Sequence, residues 1–258
     1  MRALVTGGAK RLGREISVYL ANRGYDVAIH YNNSESEALD LAKEINSLGQ
    51  ISECIKGDLL VEDQVKGLVP AASEAIGGQI SILVNNASIF EYDSFEDATR
   101  ESWDRHIESN LRAPFVLTQA FARQSPSPVL DNKNEPISQG LVLNMIDQRV
   151  KKLTPDFASY TIAKMGLWAL TQTAARALAP EIRVNAIGPG PTLIGARQKD
   201  YHFDGQRKNT ILQRGANADD ITSAVGYFID AKSVTGQLLC VDGGQHLGWK
   251  TPDIQGVE

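Results

Sequence analysis

Residues 2–13 of the chain, RALVTGGAKRLG, decide the fold. A short apolar strand pattern to Thr6 leads into a turn that contains Gly7 and Gly13, and an amphipathic helix pattern then runs to about Arg23. Glycines let the backbone approach a ligand closely, and the unpaired N–H groups at a helix N-terminus suit a pyrophosphate. The stretch predicts a phosphate-binding strand–turn–helix unit. Because its spacing differs from G-x-G-x-x-G, a simple tight connection stays open as the alternative.

Strand and helix patterns alternate along the rest of the chain. Further strand patterns lie near residues 25–31, 51–56, 80–84, 140–146, 182–187 and 237–241, and helix patterns lie near 61–76, 100–123, 157–179 and 219–229. This alternation predicts an α/β protein, a single Rossmann-type domain over residues 1–258. Its parallel, doubly wound sheet has roughly seven strands flanked by helices, and ligands bind such sheets beyond the carboxyl ends of the strands.

Three connecting segments carry signals of their own. Ser34, with Glu37 three residues later, predicts a capping box at the start of the second helix. Residues 124–139 are rich in Pro, Asn and Ser and predict a surface loop. Residues of about 191–214 have little periodicity and two glycines, which favours a lid.

Composition and charge narrow the range of partners. The chain has 258 residues, 42% of them apolar and 22% charged, and a net charge of -5, which disfavours nucleic acid and an anionic membrane and favours a small-molecule substrate. With no long apolar run and no signal-peptide pattern, we expect a cytoplasmic protein. Cys54 and Cys240 both fall on strand patterns, so we expect buried thiols, no disulfide and no metal site.

The end of the second strand bears on the choice of cofactor. An NAD-binding unit usually has a carboxylate about 20 residues beyond the glycines, where it holds the ribose 2′-hydroxyl. Here that place reads HYNNS, residues 30–34, without an acid. The missing carboxylate leaves room for a 2′-phosphate, so the sequence predicts NADPH/NADP, although no arginine stands at the strand end to hold it.

Polar residues recur where strands end. Asp58, Asn85 and Ser88 follow strand patterns and are site candidates, with local turn capping as the alternative for each. Asn110 lies in the middle of the long helix pattern 100–123, where its low helix propensity predicts a tertiary partner.

The stretch DQRVKKLTPDFASYTIAK, residues 147–164, contains the strongest catalytic signal. Tyr160 and Lys164 are four residues apart, so they share a helix face. A nearby ammonium favours the phenolate, and we expect Lys164 to lower the pKa of Tyr160 and suit it to acid–base work, with Asp147 upstream. The alternative is that Tyr-x-x-x-Lys is an accident on a helix surface.

Taken together, these motifs resemble the short-chain dehydrogenase/reductase family over nearly the whole chain. The matching motifs are Thr6-Gly7 with Arg11 and Gly13, Asn85-Asn86-Ala87, Asn110, Tyr160 with Lys164, Gly188-Pro189-Gly190 and Asp242-Gly243-Gly244. The resemblance implies that Tyr160 donates a proton, that Lys164 binds the nicotinamide ribose, and that Asn110 anchors a water of a proton relay.

Two departures from the common family pattern point to its pteridine reductase branch. Arg11 replaces the middle glycine of the turn, and Asp147 replaces the serine usual thirteen residues before the tyrosine. Ser88 and Phe90, in NNASIF, also resemble that branch, where the serine touches cofactor and pterin and the phenylalanine stacks on the pterin ring. The alternative for Phe90 is that it only packs within its loop. The alternative for Asp147 is that its carboxylate only caps a turn.

The resulting prediction is an NADPH-dependent reductase that transfers hydride to a pterin C=N, assembled as a homotetramer. The predicted catalytic residues are Asp147, Tyr160, Lys164 and Asn110. The predicted cofactor-binding residues are Gly7, Arg11, Leu12, Gly13, Tyr31, Asn32, Asn33, Ser34, Asp58, Asn86, Ala87, Ser88, Lys164 and Gly190. The predicted substrate-binding residues are Arg11, Ser88, Phe90, Asp147 and Tyr160. The alternatives are a carbonyl or alcohol oxidoreductase of the same family and a non-catalytic NADP-binding regulatory protein.

Overall fold

Seven parallel strands form the central sheet of the computed structural model, which describes residues 1–195 and 198–249. The strands in chain order are β1 (Arg2–Val5), β2 (Asp26–Tyr31), β3 (Ser52–Lys56), β4 (Ile82–Asn85), β5 (Val129–Leu130), β6 (Pro136–Ile137), β7 (Gly140–Met145), β8 (Ile182–Pro189) and β9 (Leu238–Val241). The helices are α1 (Arg11–Asn22), α2 (Glu35–Ser47), α3 (Glu62–Ala75), α4 (Arg100–Ile107), α5 (Ala113–Gln124), α6 (Ala158–Ala177), α7 (Asp200–Lys208) and α8 (Ala218–Asp230).

The sheet order is β3-β2-β1-β4-β7-β8-β9, and its strands pair in parallel. The predicted Rossmann-type α/β fold is therefore confirmed. The order reverses between β1 and β4, and a crevice for ligands opens at such a switch point. The glycine turn follows β1, Ser88 and Phe90 follow β4, and Asp147 follows β7, so the fold brings these positions to one edge.

Helices cover both faces of the sheet because its strands alternate their side chains between two cores. Ala3 and Val5 of β1 pack in one core with α1, α2 and α8, and Phe228 is buried there. Leu4 points to the opposite core with α3, α5 and α6, where Phe121 is fully buried. These two layers hold the strand ends of the crevice in fixed positions.

The prediction of one uninterrupted helix over residues 100–123 is wrong. A π-helical turn, Glu108–Arg112, separates α4 from α5. The buried side chain of Asn110 lies in this turn, where it exchanges two hydrogen bonds with the backbone of Ile89. A π-turn adds one residue to a helical turn and is frequent at functional sites, and apolar periodicity does not reveal it.

Two connecting segments contain more structure than their composition predicted. The predicted surface loop 124–139 begins with the end of α5 and includes an antiparallel hairpin of β5 and β6. The predicted lid 191–214 includes the nine-residue helix α7. Positions 196–197 of the lid and 250–258 of the predicted domain lie outside the described residues.

Cys54 and Cys240 are free thiols. Both are half-buried, so the prediction of full burial is wrong; they lie on the outer strands β3 and β9, where cover is incomplete. Within residues 1–195 and 198–249 there is no cluster of three or more His, Cys, Asp or Glu side chains placed to hold a metal ion. In the same part of the chain, no helix combines the length and apolar character needed to cross a membrane.

Candidate active site

Asp147 stands at the carboxyl end of β7, where the chain turns into a 3₁₀ turn, Gln148–Lys151. Its Oδ1 accepts the backbone N–H of Arg149 at 2.8 Å, which caps the turn. Its Oδ2 accepts the phenol O–H of Tyr160 at 3.0 Å. The carboxyl group therefore caps a turn, which was the alternative given for it from the sequence. It is also hydrogen-bonded to the tyrosine.

Tyr160 and Lys164 lie one turn apart on α6, as their spacing predicted. Both side chains are buried, so they are not an accidental pair on a helix surface. The Lys164 ammonium donates to the carbonyl oxygen of Met145 at 2.8 Å and lies 5.6 Å from the centroid of the Tyr160 ring. The lysine is thus anchored on β7 beneath the tyrosine.

The expectation that Lys164 lowers the pKa of Tyr160 is wrong for this arrangement. Burial and the neighbouring Asp147 carboxylate raise the Tyr160 pKa well above its usual 10.0. Burial also raises the pKa of Asp147 and lowers that of Lys164 to about 8, opposed by the charge of Asp147. Because burial disfavours the charged form of each group, the Tyr160 phenol and the Asp147 carboxyl group each hold a proton to higher pH than the free side chains do.

Aromatic rings line the cleft beside this pair. The Phe90 ring stacks on Phe157 with centroids 4.4 Å apart, and its centroid lies 4.6 Å from that of Tyr160 in an edge arrangement. Phe90 is also 45% exposed, so loop packing alone does not account for it. Ser88, Phe90, Asp147 and Phe157 contribute to a cleft of about 910 Å³, wide enough for a flat heterocycle.

The glycine turn is built around close backbone contacts. Gly7 has a φ of +58°, and a Cβ atom on Gly13 would lie 2.1 Å from the Gly7 oxygen. The Asn86 side chain donates to the carbonyl oxygens of Thr6 and Gly7, and the Ala87 N–H donates to the Thr6 hydroxyl. Asn86 and Ala87 therefore fix the shape of the turn.

Arg11 takes the left-handed conformation at the start of α1, with a φ of +53°. Its guanidinium donates to the carbonyl oxygens of Leu193 and Ile194 at 3.1 and 2.7 Å, and it lines the cleft. Arg11 therefore connects the glycine turn to residues 193–194 of the segment predicted to be a lid. Leu12, the next predicted cofactor residue, packs its side chain against the core beneath α1.

The end of β2 differs from the predicted capping box. Among the described residues, the Ser34 side chain makes no capping hydrogen bond, and Glu37 forms an ion pair with Lys10 instead. The Tyr31 hydroxyl donates to Glu35 at 3.2 Å, while Asn32 and Asn33 are exposed. The predicted capping box is absent because the Glu37 carboxylate pairs with Lys10, a residue of the glycine turn. The spacing of Ser34 and Glu37 does not reveal that partner.

The remaining predicted positions have local roles. The Asp58 Oδ1 accepts the N–H of Leu60 at 2.9 Å, which is the turn-capping alternative. The Asn85 side chain donates to Asn144 at 2.8 Å inside the core. Gly190 packs against Asp242 so closely that a Cβ atom would lie 2.6 Å from the Asp242 Cα atom.

His30 and Lys10 have contacts that sequence reasoning did not predict. The Gly7 N–H donates to His30 Nδ1 at 3.0 Å, and His30 Nε2 lies 3.0 Å from the Gly57 oxygen, which makes Nε2 the protonated nitrogen. Burial lowers the pKa of His30 to about 4, so the ring stays neutral and braces the glycine turn. Lys10 reaches the start of α2, near the exposed end of β2.

Comparison with known proteins shows the family. A family model described as enoyl-(acyl carrier protein) reductase matches residues 7–246. The chain belongs to the short-chain dehydrogenase/reductase family, a family of oxidoreductases, as the sequence motifs predicted.

Three relatives illustrate the similarity. The crystal structure of FolM alternative dihydrofolate reductase 1 from Brucella suis, in complex with NADP, superposes with a TM-score of 0.91 at 45% identity, and the match covers 98% of each chain. The 3-oxoacyl-[acyl-carrier-protein] reductase FabG of Staphylococcus epidermidis is 31% identical over 95% of this chain and 98% of its own. Pteridine reductase 1 of Leishmania tarentolae is 31% identical over 95% and 96%, respectively.

Proposed function

We propose that this protein is an NADPH-dependent reductase that transfers hydride to a C=N bond of a dihydropteridine. The observation that carries the proposal is the Asp147 carboxyl group at the cleft, hydrogen-bonded to the buried Tyr160 phenol at 3.0 Å beside the partly exposed ring of Phe90. The similarity to FolM at 45% identity and to a pteridine reductase supports it.

The residues at the strand ends fit NADPH. Helix α1 begins without an acid in its first turn, and within the described residues no side chain caps it, so its N–H groups suit a pyrophosphate. The acids at the start of α2 are engaged by Tyr31 and Lys10, which leaves Asn33, Ser34 and nearby N–H groups for a 2′-phosphate. In this proposal Lys164 holds the nicotinamide ribose, and NADPH supplies the hydride.

Proton delivery follows from the two acids. A carboxylate would oppose the negative charge that builds up on a carbonyl oxygen, whereas a neutral carboxyl group can give its proton to a ring nitrogen. Burial raises the pKa of Asp147 and thereby favours that neutral form. In the proposed reaction Tyr160 protonates the nitrogen and Asp147 replaces the proton, while Phe90 holds the flat ring.

A carbonyl reductase is the second candidate. The 31% identity to FabG over 95% of the chain favours it, and a tyrosine with a lysine one turn on suits a ketone as well. The aspartate at position 147 separates the two candidates, since it matches a basic heterocycle better than a carbonyl oxygen.

Replacing Tyr160 by Phe tests the catalytic role. We expect Tyr160→Phe to abolish turnover while NADPH binding stays nearly intact, because only the transferable proton is lost. Steady-state rates and fluorescence titration of NADPH measure the two quantities. Tyr227→Phe, a change at an exposed tyrosine on α8, is the control. Turnover by Tyr160→Phe close to the wild-type rate would remove the proposed proton donor.

We further propose that residues 1–258 form one domain, that four copies assemble into a homotetramer, and that the protein works in the cytoplasm. Light scattering during size-exclusion chromatography measures the assembly, and a monomer or dimer would contradict it. Cell fractionation measures the location.

A further inference from the structure

A buried polar network lies directly behind the cleft, outside the groups that the proposed chemistry uses. It consists of Asp93 in the loop after β4, His106 on α4 and Ser159 on α6, and each is at most 2% exposed. Buried polar groups are costly unless they are hydrogen-bonded, so a cluster of three calls for a physical reason.

Hydrogen bonds connect the three side chains in series. His106 Nδ1 lies 2.6 Å from the Ser159 hydroxyl, which in turn contacts Asp93 Oδ2. The other oxygen of Asp93 accepts the backbone N–H of Ser159 at 3.1 Å, and the Ser102 hydroxyl donates to Oδ2 at 3.1 Å. The carboxylate thereby holds the first turn of α6 from two sides.

The direction of the series is fixed by its outer end. His106 Nε2 accepts the backbone N–H of Glu91 at 3.1 Å, so that nitrogen carries no proton. The ring proton is therefore on Nδ1, from which it is donated to Ser159, and the Ser159 proton is donated to Asp93. His106 is thus a neutral imidazole with the tautomer opposite to that of His30.

The network connects the two parts of the cleft that must meet on a substrate. Glu91 follows Phe90, and Ser159 precedes Tyr160. Asn110 holds Ile89, on the other side of Phe90, through bonds of 2.9 and 2.8 Å. His106 and Asn110 are four residues apart on one continuous helical segment, so the backbone on both sides of Phe90 is fixed to that segment.

The same residue types occur in hydrolase triads, but this arrangement cannot act as one. The Ser159 hydroxyl lies between the histidine and the aspartate, and its proton is committed to the carboxylate. Ser159 is also 1% exposed, so a substrate cannot reach it. The network has no nucleophile to offer.

We propose that His106, Ser159 and Asp93 are positioning residues that fix the Phe90 ring relative to the Tyr160 hydroxyl, and so set the distance between the stacked substrate ring and its proton donor. The identity of that substrate rests on the proposed function, but the geometry of the network does not. Loss of the bond between His106 and Glu91 removes one of the two helix anchors on the backbone beside Phe90, while the hydrogen bonds of the glycine turn are left untouched.

Two substitutions at position 106 distinguish the contribution of the hydrogen bond at Nε2 from that of the hydrogen bond at Nδ1. His106→Gln places an amide oxygen near the former Nε2 and keeps an acceptor for Glu91, whereas His106→Asn places a donor near the former Nδ1 and loses that acceptor. We expect His106→Asn to raise the dihydropteridine KM about tenfold, and His106→Gln to change it about twofold or less. In both variants the NADPH dissociation constant should stay within about twofold of wild type.

Nitrogen NMR of the imidazoles tests the network without any substrate. The chain has four histidines, and histidine-selective ¹⁵N labelling resolves their tautomers. We expect one buried ring protonated at Nδ1, whose signal is absent from His106→Gln, and one protonated at Nε2, which remains. His106 protonated at Nε2 or doubly protonated at neutral pH would overturn the proposal, even if the Asn variant did not fold.

The kinetic and spectroscopic outcomes separate this inference from the proposed function. Equal KM values for His106→Asn and His106→Gln, or a changed NADPH affinity in either, would overturn the positioning role. A wild-type enzyme that reduces ketones but no dihydropteridine would refute the proposed function alone. In that case the KM comparison is repeated with the ketone, and the tautomer result stands independently.

Discussion

At the scale of single residues, the site depends on a carboxyl group at the cleft placed against a buried phenol. The Tyr160 hydroxyl donates a hydrogen bond to Oδ2 of Asp147 at 3.0 Å, and burial raises the pKa of both groups. Each group therefore keeps its proton to higher pH than a free side chain of its type, so that a proton is present at the site over a wider pH range. The sequence predicted the pair of Tyr160 and Lys164 from its spacing and the part of Asp147 from the family resemblance, but not the direction of the Tyr160 pKa, because burial is set by the fold.

Replacing Asp147 by Ser removes the second proton donor and retains a small polar side chain. We expect the rate of dihydropteridine reduction to fall by more than about tenfold, or roughly 1.4 kcal/mol of transition-state stabilisation, with little change in NADPH affinity. The pH profile is a second readout. Wild-type kcat/KM should fall as pH rises through the raised pKa of Asp147, and the variant should lose that step.

The control for this substitution is Asp131→Ser, which removes a partly exposed carboxylate from the turn between β5 and β6. It should leave both the rate and the pH profile unchanged. Unaltered dihydropteridine turnover by Asp147→Ser would argue against the pteridine reductase assignment and leave only the wider family membership.

Lys164 makes a prediction about stability. Burial lowers its pKa from 10.5 to about 8, so the folded state binds this proton less tightly than the unfolded state. The cost of burying the charge, about 3 kcal/mol as an order of magnitude, is complete below pH 8 and disappears as pH rises toward 10.5. Relative to Lys164→Met, the wild type should therefore gain stability between these pH values.

Urea unfolding at a series of pH values measures this difference. The comparison with Lys43→Met, at a lysine whose side chain is 78% exposed, should show no such trend. A stability difference between wild type and Lys164→Met that stays constant from pH 7 to 10.5 would contradict the burial of a titrating ammonium.

At the scale of elements, the starts of α1 and α2 carry the groups that we propose to contact the cofactor. The predicted capping box at α2 is absent, and Glu37 is instead paired with Lys10, at the start of α1. Both side chains are about half exposed, and exposed ion pairs stabilise proteins little, so Lys10 can readily change partners. This places a cation near the exposed end of β2, where the sequence showed no arginine.

Lys10→Ala therefore tests cofactor selectivity. We expect the ratio of kcat/KM for NADPH to that for NADH to fall about fivefold or more, because a charge-assisted contact with the 2′-phosphate is lost. Lys43→Ala, an exposed lysine on α2, is the matched control and should keep the ratio. An unchanged ratio in Lys10→Ala would contradict a contact between Lys10 and the 2′-phosphate, and Ser34 and backbone N–H groups would then be the remaining partners.

The π-turn between α4 and α5 shows where sequence reasoning reaches its limit. The pattern of residues 100–123 fits one amphipathic helix apart from Pro114, and a second anomaly is Asn110 in its middle. That anomaly correctly predicted a tertiary partner, which is the backbone of Ile89. Apolar periodicity shows neither the extra residue in the turn nor this distant contact.

At the scale of the whole molecule, the fold was predictable and part of the site was not. Alternating strands and helices, ended by polar residues, predicted the seven-stranded parallel sheet and the edge on which Asp147, Ser88 and Phe90 meet. The buried network around His106 was not predicted, because its members come from three segments far apart in sequence. Pairings such as that of Ser159 with Asp93 depend on packing, which spacing does not reveal.

The measurement that tests the central claim most directly is NADPH consumption by the wild-type enzyme with a panel of substrates. The panel compares dihydrobiopterin, dihydromonapterin and dihydrofolate with simple ketones, aldehydes and a 3-oxoacyl thioester. We predict that at least one dihydropteridine has a kcat/KM about a hundredfold or more above that of every carbonyl compound. Reduction of the carbonyl compounds with no reduction of any dihydropteridine would contradict the account.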